Sequence, residues 1–214
     1  MKFTEGYWLL SERTNGQFAS QAYHIEAMEN GLRVVAPTSP VLSRGDTLNR
    51  PTITIEFLAV SPEVISVRAW HYEGYRTGEA RFEKKETTCD AVVTITENEA
   101  VLDAGRVSVH VDRKNWGYSF WADGKLLTSS GFHNLGYVRW DKRVSSMLPQ
   151  DNYMKEHEYT PYMTQDLLLA PGENVYGFGE RFTAFVKNGQ AVETWNEDGG
   201  TASQVAYKNL SLIH

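Results

Sequence analysis

The stretch Thr52-Ile53-Thr54-Ile55-Glu56-Phe57 decides the fold class, because polar and apolar side chains alternate along it. Successive side chains of a β-strand point to opposite faces of a sheet. The alternation therefore places Ile53, Ile55 and Phe57 together on one face. We predict a half-buried strand of an antiparallel sheet here.

The same period of two recurs along the chain, at Gly31–Val35, Val64–Trp70, Ala91–Thr96 and Arg106–Asp112. Helical signals are weak, and the run His24–Met28 is too short to support a helix. Many short strands joined by turns indicate an all-β sandwich or barrel. The least patterned stretch, Asp141–Thr164, is interpreted as a long connection or as a seam within the β-domain.

Two dipeptides, Asp123-Gly124 and Asn188-Gly189, predict tight hairpins, because both tolerate the positive φ of a type I′ turn. The strands expected around them are Tyr118–Ala122 with Lys125–Leu127, and Phe182–Lys187 with Gln190–Trp195. These dipeptides are the strongest local structural signals in the sequence.

Composition excludes several classes of protein. The 214 residues are 41% hydrophobic and 22% charged, with a formal net charge of −6, which argues against disorder and against binding of nucleic acid or anionic membranes. Cys89 is the single cysteine, which excludes an internal disulfide framework and multi-cysteine metal sites. A lone thiol, no basic and apolar leader and no apolar run of about 20 residues favour a cytoplasmic protein without a membrane partner.

Motifs for metal or nucleophilic chemistry are missing from the sequence. The six histidines form no local ligand pair, and no Gly-x-Ser-x-Gly elbow is present. Gly177-Phe178-Gly179 lacks the third glycine and the following helix of a dinucleotide loop, so we expect these glycines to permit a bulge or a close backbone approach. We expect no cofactor and no metal.

The densest polar and aromatic cluster runs from Glu180 to Thr201 and contains Trp195, Asn196, Glu197 and Asp198. An aromatic face can stack on the apolar side of a sugar ring, while amide and carboxylate groups hydrogen-bond its hydroxyls. A solvated loop with a buried Trp195 explains the same composition, so composition alone leaves both interpretations open.

A longer pattern adds a family resemblance. Its segments are Tyr176-Gly177-Phe178-Gly179-Glu180-Arg181-Phe182-Thr183-Ala184, Lys187-Asn188-Gly189-Gln190, Val192-Glu193-Thr194-Trp195-Asn196, Asp198-Gly199-Gly200-Thr201 and Ala206-Tyr207-Lys208-Asn209. Together they resemble the N-terminal domain of family 31 α-glycosidases. With Gly6-Tyr7-Trp8-Leu9 and with Val67–Tyr72 followed by Gly74, the pattern looks most like the bacterial α-xylosidases. The resemblance is close over residues 174–209 and loose elsewhere.

The resemblance implies a galactose-mutarotase-like β-sandwich, or supersandwich, as one N-terminal domain over residues 1–214. In the family, two catalytic aspartates lie in a (β/α)8 barrel that follows this domain, and nothing here matches its signature. We therefore expect a chain that stops before its last strands, has no catalytic residue, and has the missing barrel as a partner. Homo-oligomers are also expected.

The resemblance also assigns site residues. Asp198 would hydrogen-bond the substrate near the leaving-group subsite, with Trp195 and Asn196 shaping the loop. Gly199 and Gly200 would let the loop turn sharply. Glu180 and Arg181 are expected to form a structural pair that supports the loop.

The implied function is the N-terminal part of a retaining α-xylosidase that releases α-xylose from non-reducing ends of xyloglucan-type oligosaccharides, with this fragment inactive alone. Glu193, Glu197 and Asp198 are not taken as a catalytic pair. Three alternatives stay open: an α-glucosidase of the same family, a free-standing carbohydrate-binding module, and a mutarotase or epimerase, because a shared fold does not assign function.

Overall fold

The computed structural model describes residues 3–5, 9–48, 50–74, 89–141 and 159–194. These residues form thirteen β-strands and one short 3-10 turn at Arg44–Thr47. The strands are β1 Thr4–Glu5, β2 Leu9–Leu10, β3 Thr14–Phe18, β4 His24–Met28, β5 Gly31–Pro37, β6 Thr52–Ser61, β7 Val64–Trp70, β8 Val92–Ile95, β9 Glu99–Asp103, β10 Val107–Asp112, β11 Gly117–Ala122, β12 Lys125–Asp141 and β13 Tyr159–Leu167.

Two antiparallel sheets make up most of the structure. One has the order β4-β5-β6-β7, and the other has the order β13-β12-β11-β10-β9-β8, with β3 also paired to β12. β1 and β2 form a separate two-stranded pair. The predicted all-β architecture is confirmed, and each predicted strand of the period-two runs is present.

The core lies between the two sheets. Ile53, Ile55 and Phe57 of β6 are fully buried, as their alternation predicts. Buried side chains of β9, β10 and β11 complete the same cluster, and the Phe57 ring meets Tyr118 at 5.4 Å between centroids. Burying one such side chain stabilises a protein by about 1.5–3 kcal/mol, so this cluster is the main source of stability.

The long strand β12 changes partners along its length. Its first half pairs with β11, and its second half pairs with β13 on one side and β3 on the other. On β12 the residues 131–134 stand opposite one residue of β13, because Ser130 pairs with Leu167 and Leu135 pairs with Gln165. This large β-bulge is called the β12 insertion below.

The two predicted hairpins have different outcomes. The Asp123-Gly124 hairpin is confirmed: Ala122 pairs with Lys125, and φ is 49° at Asp123 and 74° at Gly124. The second hairpin is wrong in its strands, since the described residues from 182 to 194 form none. Only a turn remains, with Gly189 at φ 72° and a bond from the Gln190 N–H to the Lys187 carbonyl.

The expectation of a connection over Asp141–Thr164 needs correction. Its last part belongs to strand β13, while residues 142–158 lie outside the described part of the chain. Pro161 pairs with Arg139 at the end of the sheet. An edge strand tolerates proline because its outward N–H has no neighbouring strand to bond, so the proline signal hid a real strand.

The chain divides into two compact units. The sheets belong to one unit, which ends at Leu168, and the described residues 169–194 belong to the other. No helix in the described part of the chain is long and apolar enough to span a bilayer.

Candidate functional site

The site predicted from sequence lies mostly beyond the described residues. Trp195, Asn196, Asp198, Gly199 and Gly200 all fall in the range 195–214, which the structure does not describe. Their predicted roles therefore stay predictions. The described residues 169–194, which precede them in the sequence, show how the chain is held just before Trp195.

Side chains rather than sheet ladders hold this segment together. The Asn188 side chain accepts the Val175 N–H at 2.7 Å and donates to the Glu173 carbonyl at 2.8 Å. The Lys187 N–H donates to the Val175 carbonyl at 2.7 Å. Main-chain groups of residues 173–175 are thereby bonded to the turn, which explains why the predicted hairpin strands do not form.

The ammonium of Lys187 is the buried charge of the segment, with the residue only 7% exposed. It donates to Thr183 Oγ1 at 2.7 Å and to the Ala184 carbonyl at 2.5 Å. A buried cation needs such hydrogen bonds, because loss of hydration is costly. Lys187 thus closes the chain from residue 183 to 187 into a compact turn.

Arg181 supports the segment through main-chain carbonyls. Its Nε donates to the Phe178 carbonyl at 2.8 Å, and its Nη2 donates to the Glu193 carbonyl. The guanidinium therefore links the start of the segment to the residues just before Trp195. Among the described residues the exposed Glu180 has no ion pair, and the predicted role of Glu180 and Arg181 in supporting the loop stays a prediction.

The backbone before Arg181 is unusual. Gly177, Phe178 and Gly179 have φ of 100°, 63° and 80°, so three consecutive residues lie at positive φ. This conformation costs roughly 1–2 kcal/mol for a non-glycine residue such as Phe178. It turns the Phe178 carbonyl to the Arg181 guanidinium, so the glycines serve a tight backbone turn.

A second group of polar and aromatic residues, missed by the sequence analysis, surrounds a cavity of about 710 Å³ in the sheet unit. The β12 insertion forms one wall. The cavity is lined by residues of β3, the loop after it and the β12 insertion, with Thr38, Arg50, Asn115 and Trp116. The sequence signal that could have indicated this wall is Phe132-His133-Asn134, which interrupts the pattern of strand β12 where its ladder with β13 shifts register.

A serine–histidine–glutamate chain lies elsewhere on the same sheet. Ser108 Oγ is 3.2 Å from His110 Nε2, and His110 Nδ1 is 2.8 Å from Glu99 Oε1. This order matches an oriented base beside a hydroxyl. However, Ser108 and His110 lie in the middle of ladders to β9 and β11, where main-chain N–H groups are already bonded and do not form an oxyanion site.

In the part of the chain that is described, no cluster of three or more His, Cys, Asp or Glu could hold a metal ion.

Comparison with known proteins places these features in a wider context. Residues 53–214 match the family described as "Glycosyl hydrolase 31 N-terminal galactose mutarotase-like domain". The chain is 37% identical to α-xylosidase XylQ of Lactiplantibacillus pentosus, over 98% of the chain and 26% of that protein. It is 32% identical to an α-xylosidase of Emericella nidulans, over 98% of the chain and 28% of that protein. The chain thus spans about a quarter of the length of these curated relatives.

Solved structures share the fold. A cycloalternan-forming enzyme from Listeria monocytogenes, in complex with a pentasaccharide substrate, matches with a TM-score of 0.61 at 13% identity, over 95% of this chain and 17% of that one. A GH31 dextranase from Flavobacterium johnsoniae, complexed with isomaltotriose, matches with a TM-score of 0.52 at 16% identity, over 89% and 20% of the two chains.

Proposed function

Because the chain belongs to the glycosyl hydrolase 31 family through its N-terminal galactose mutarotase-like domain, we propose that it is the N-terminal part of a retaining α-xylosidase. One observation carries the proposal: the 37% identity to an α-xylosidase extends over 98% of the chain but over 26% of that relative. The proposed substrates are xyloglucan-type oligosaccharides with α-xylose at the non-reducing end.

The chemistry of retaining hydrolysis defines the roles that we propose for this chain and for a barrel domain after it. Retaining hydrolysis needs two carboxyl groups about 5–5.5 Å apart, one as nucleophile and one as acid and then base. We assign neither role to this chain, and we assign both to a barrel domain that would follow it. Asp198 would hydrogen-bond the substrate from a loop that Trp195 and Asn196 shape and Gly199 and Gly200 bend.

The contribution of this chain is then positioning. Arg181 links the Phe178 and Glu193 carbonyls, and Lys187 closes the turn beside them, so the chain enters the proposed loop from an anchored position. Holding a substrate group in the productive geometry lowers the barrier without bond-breaking chemistry. Loosening this anchor would therefore raise KM or lower kcat while leaving the catalytic carboxylates in place.

The test compares the 214-residue chain with a longer protein that includes the region following it. Both are assayed on p-nitrophenyl α-xyloside and p-nitrophenyl α-glucoside. We expect no turnover by the 214-residue chain and faster turnover of the xyloside by the longer protein. Asp198→Ala in the longer protein should lower kcat/KM on xyloglucan oligosaccharides by about tenfold or more. Turnover by the 214-residue chain alone would overturn the proposal that the catalytic carboxyl groups lie in a following barrel domain. Preference of the longer protein for the glucoside would favour an α-glucosidase.

We also propose a cytoplasmic location and a homo-oligomeric state. A single cysteine, buried at Cys89, is compatible with the reducing cytoplasm, and family resemblance favours a homo-oligomer. Sedimentation velocity of the longer protein tests the second point, because a monomer at all concentrations would contradict it.

A further inference from the structure

We propose that the cavity beside the β12 insertion is a carbohydrate-binding site, in which the exposed face of Phe132 stacks on one sugar ring of a neutral oligosaccharide. The site is built from residues other than those of the Asp198 loop. The choice of a xylose-bearing sugar as ligand rests on the proposed function, whereas the stacking geometry does not.

The insertion is held in place by a buried polar network. Trp116 Nε1 donates to Asn134 Oδ1 at 2.9 Å, and Asn134 Nδ2 donates to Ser130 Oγ at 3.0 Å. Ser130 Oγ also accepts the Tyr118 N–H at 2.8 Å. Asn134 is 3% exposed, so its side chain is shielded from water. The network bonds the end of the insertion to Trp116, just before β11, and bonds Ser130, just before the insertion, to Tyr118 of β11.

Three rings stack on this support. Phe18 and His133 lie 4.0 Å apart between centroids at an angle of 8°, and His133 and Phe132 lie 3.8 Å apart at 24°. Partial loss of hydration lowers the pKa of His133, although the Asp166 carboxylate opposes this, which favours the neutral ring. The Phe18 ring in turn lies against Gly136, where a Cβ would come within 2.7 Å of Phe18 Cδ1.

The outermost ring is held out into solvent. Phe132 is 80% exposed, although its neighbours are fixed by the network and by the stack. His133 adopts a φ of 57°, in the left-handed region that most residues with a side chain avoid but that Asn, Asp and His adopt more often. An exposed apolar ring held by its neighbours is typical of binding sites, because the ring is buried only when a ligand covers it.

The cavity beside the ring suits a sugar. Its polar groups are hydroxyl, amide and guanidinium groups, from Ser20, Thr38, Gln17, Asn115 and Arg50. These groups can hydrogen-bond the hydroxyls of a sugar, and none of the described residues that line the cavity carries a carboxylate. A volume of about 710 Å³ lies within the range of small-molecule sites, which favours an oligosaccharide of a few rings over a flat protein surface.

The test titrates the 214-residue chain with xyloglucan heptasaccharide by calorimetry and by saturation-transfer NMR. Phe132→Ala should raise Kd by about tenfold or more, because the stacking surface is lost. His133→Asn keeps a residue that tolerates the left-handed backbone and removes the ring beneath Phe132, so it should also raise Kd. Leu42→Ala is the matched control, since Leu42 is 90% exposed and does not line the cavity. Thermal unfolding of each variant checks that it folds.

The outcomes separate this proposal from the proposed function. An equal Kd for Phe132→Ala and Leu42→Ala overturns the proposal, and so does the absence of binding by the unsubstituted chain. Binding that is lost in Asp198→Ala and kept in Phe132→Ala also overturns it, and instead favours the Asp198 loop. The proposed function depends on hydrolysis by the longer protein, so failure of hydrolysis with Phe132-dependent binding intact would contradict that function alone.

Discussion

Two turns of the molecule carry nearly the same dipeptide and have different surroundings. At Asp123-Gly124, β11 passes into β12, and β11 is also bonded to β10 on its other side. At Asn188-Gly189, the flanking residues form no strand, and side chains of Lys187 and Asn188 bond to the main chain instead.

The difference shows what a turn signal determines. A hairpin turn brings two segments together, but an isolated two-stranded hairpin is only marginally stable. β11 and β12 gain a third strand and a buried face against Phe57, whereas Lys187 and Asn188 offer competing local bonds. The dipeptide therefore specifies where the chain reverses direction. Whether strands form on either side of the turn depends on the segments that can pair with them and pack against them.

The largest expected contrast comes from truncating one phenylalanine in each region. Phe57→Ala should lower the free energy of unfolding by about 3–5 kcal/mol, because Phe57 is fully buried between the sheets. Phe185→Ala should change it by less than about 0.5 kcal/mol, because Phe185 is 79% exposed. Urea unfolding followed by circular dichroism measures both. Similar losses in the two variants would show that the two regions unfold as one unit with a shared core.

The next contrast concerns lysines beside the two turns. Lys187→Met removes the bonds to Thr183 Oγ1 and the Ala184 carbonyl, and should destabilise the segment locally by about 1–3 kcal/mol. Hydrogen exchange at the amides of Lys187 and Gln190 measures this opening. Lys125→Met, at the exposed lysine after Asp123-Gly124, is the control and should leave exchange in its hairpin within about twofold of the unsubstituted chain. Slow exchange retained in Lys187→Met would show that the ammonium does not hold the turn.

A smaller effect is expected from the two turn glycines. Gly124 and Gly189 have φ of 74° and 72°, and an added Cβ would meet nothing within 4 Å at either position. Substitution by alanine therefore costs only backbone strain, about 1 kcal/mol in each case. We expect Gly124→Ala to lower the free energy of global unfolding, and Gly189→Ala to change only local hydrogen exchange. A global effect of Gly189→Ala would contradict the separation of the two regions.

The smallest effect is expected at Tyr118. Its hydroxyl is buried and has no hydrogen-bond partner among the described residues, and burial raises its pKa to about 12, while the nearby Gln165 side chain opposes this rise without reaching hydrogen-bond geometry. Tyr118→Phe removes the unsatisfied group and should stabilise the chain by up to about 1 kcal/mol. Tyr23→Phe, at a tyrosine that is 55% exposed, is the control and should have no effect.

The same substitution has a pH dependence. Because the pKa is higher in the folded state, the unfolded phenol ionises first, and stability falls as pH rises from about 10 to about 12. Tyr118→Phe should remove this part of the decline in alkaline unfolding curves. An unchanged pH dependence would indicate that the Tyr118 phenol is not shielded in the folded chain.

Part of the fold was predictable because it is local. The alternation in Thr52–Phe57 assigns side chains to faces without knowledge of any partner, and Ile53, Ile55 and Phe57 are indeed buried. β13 was not predictable, since Pro161 argues against a strand unless its place at a sheet edge is known.

The two candidate sites differ in the same way, because one was indicated by a local sequence motif and the other depends on contacts between distant segments. The roles of Asp198 and its neighbours came from a sequence resemblance and stay predictions, since residues 195–214 lie outside the described structure. The stack of Phe18, His133 and Phe132 joins residues more than a hundred positions apart, through pairing of β3 with β12. Sequence spacing carries no information about such a contact.

The sequence by itself determined the strand period, the Asp123-Gly124 hairpin and the family, because each depends on neighbouring residues or on a contiguous motif. Only the tertiary structure decided which strands follow a turn, that β12 pairs with β11, β13 and β3, and that its insertion leaves Phe132 exposed to solvent. The physical reason is that strand pairing and ring stacking are made between distant segments. Their free energy depends on what the rest of the chain places opposite them.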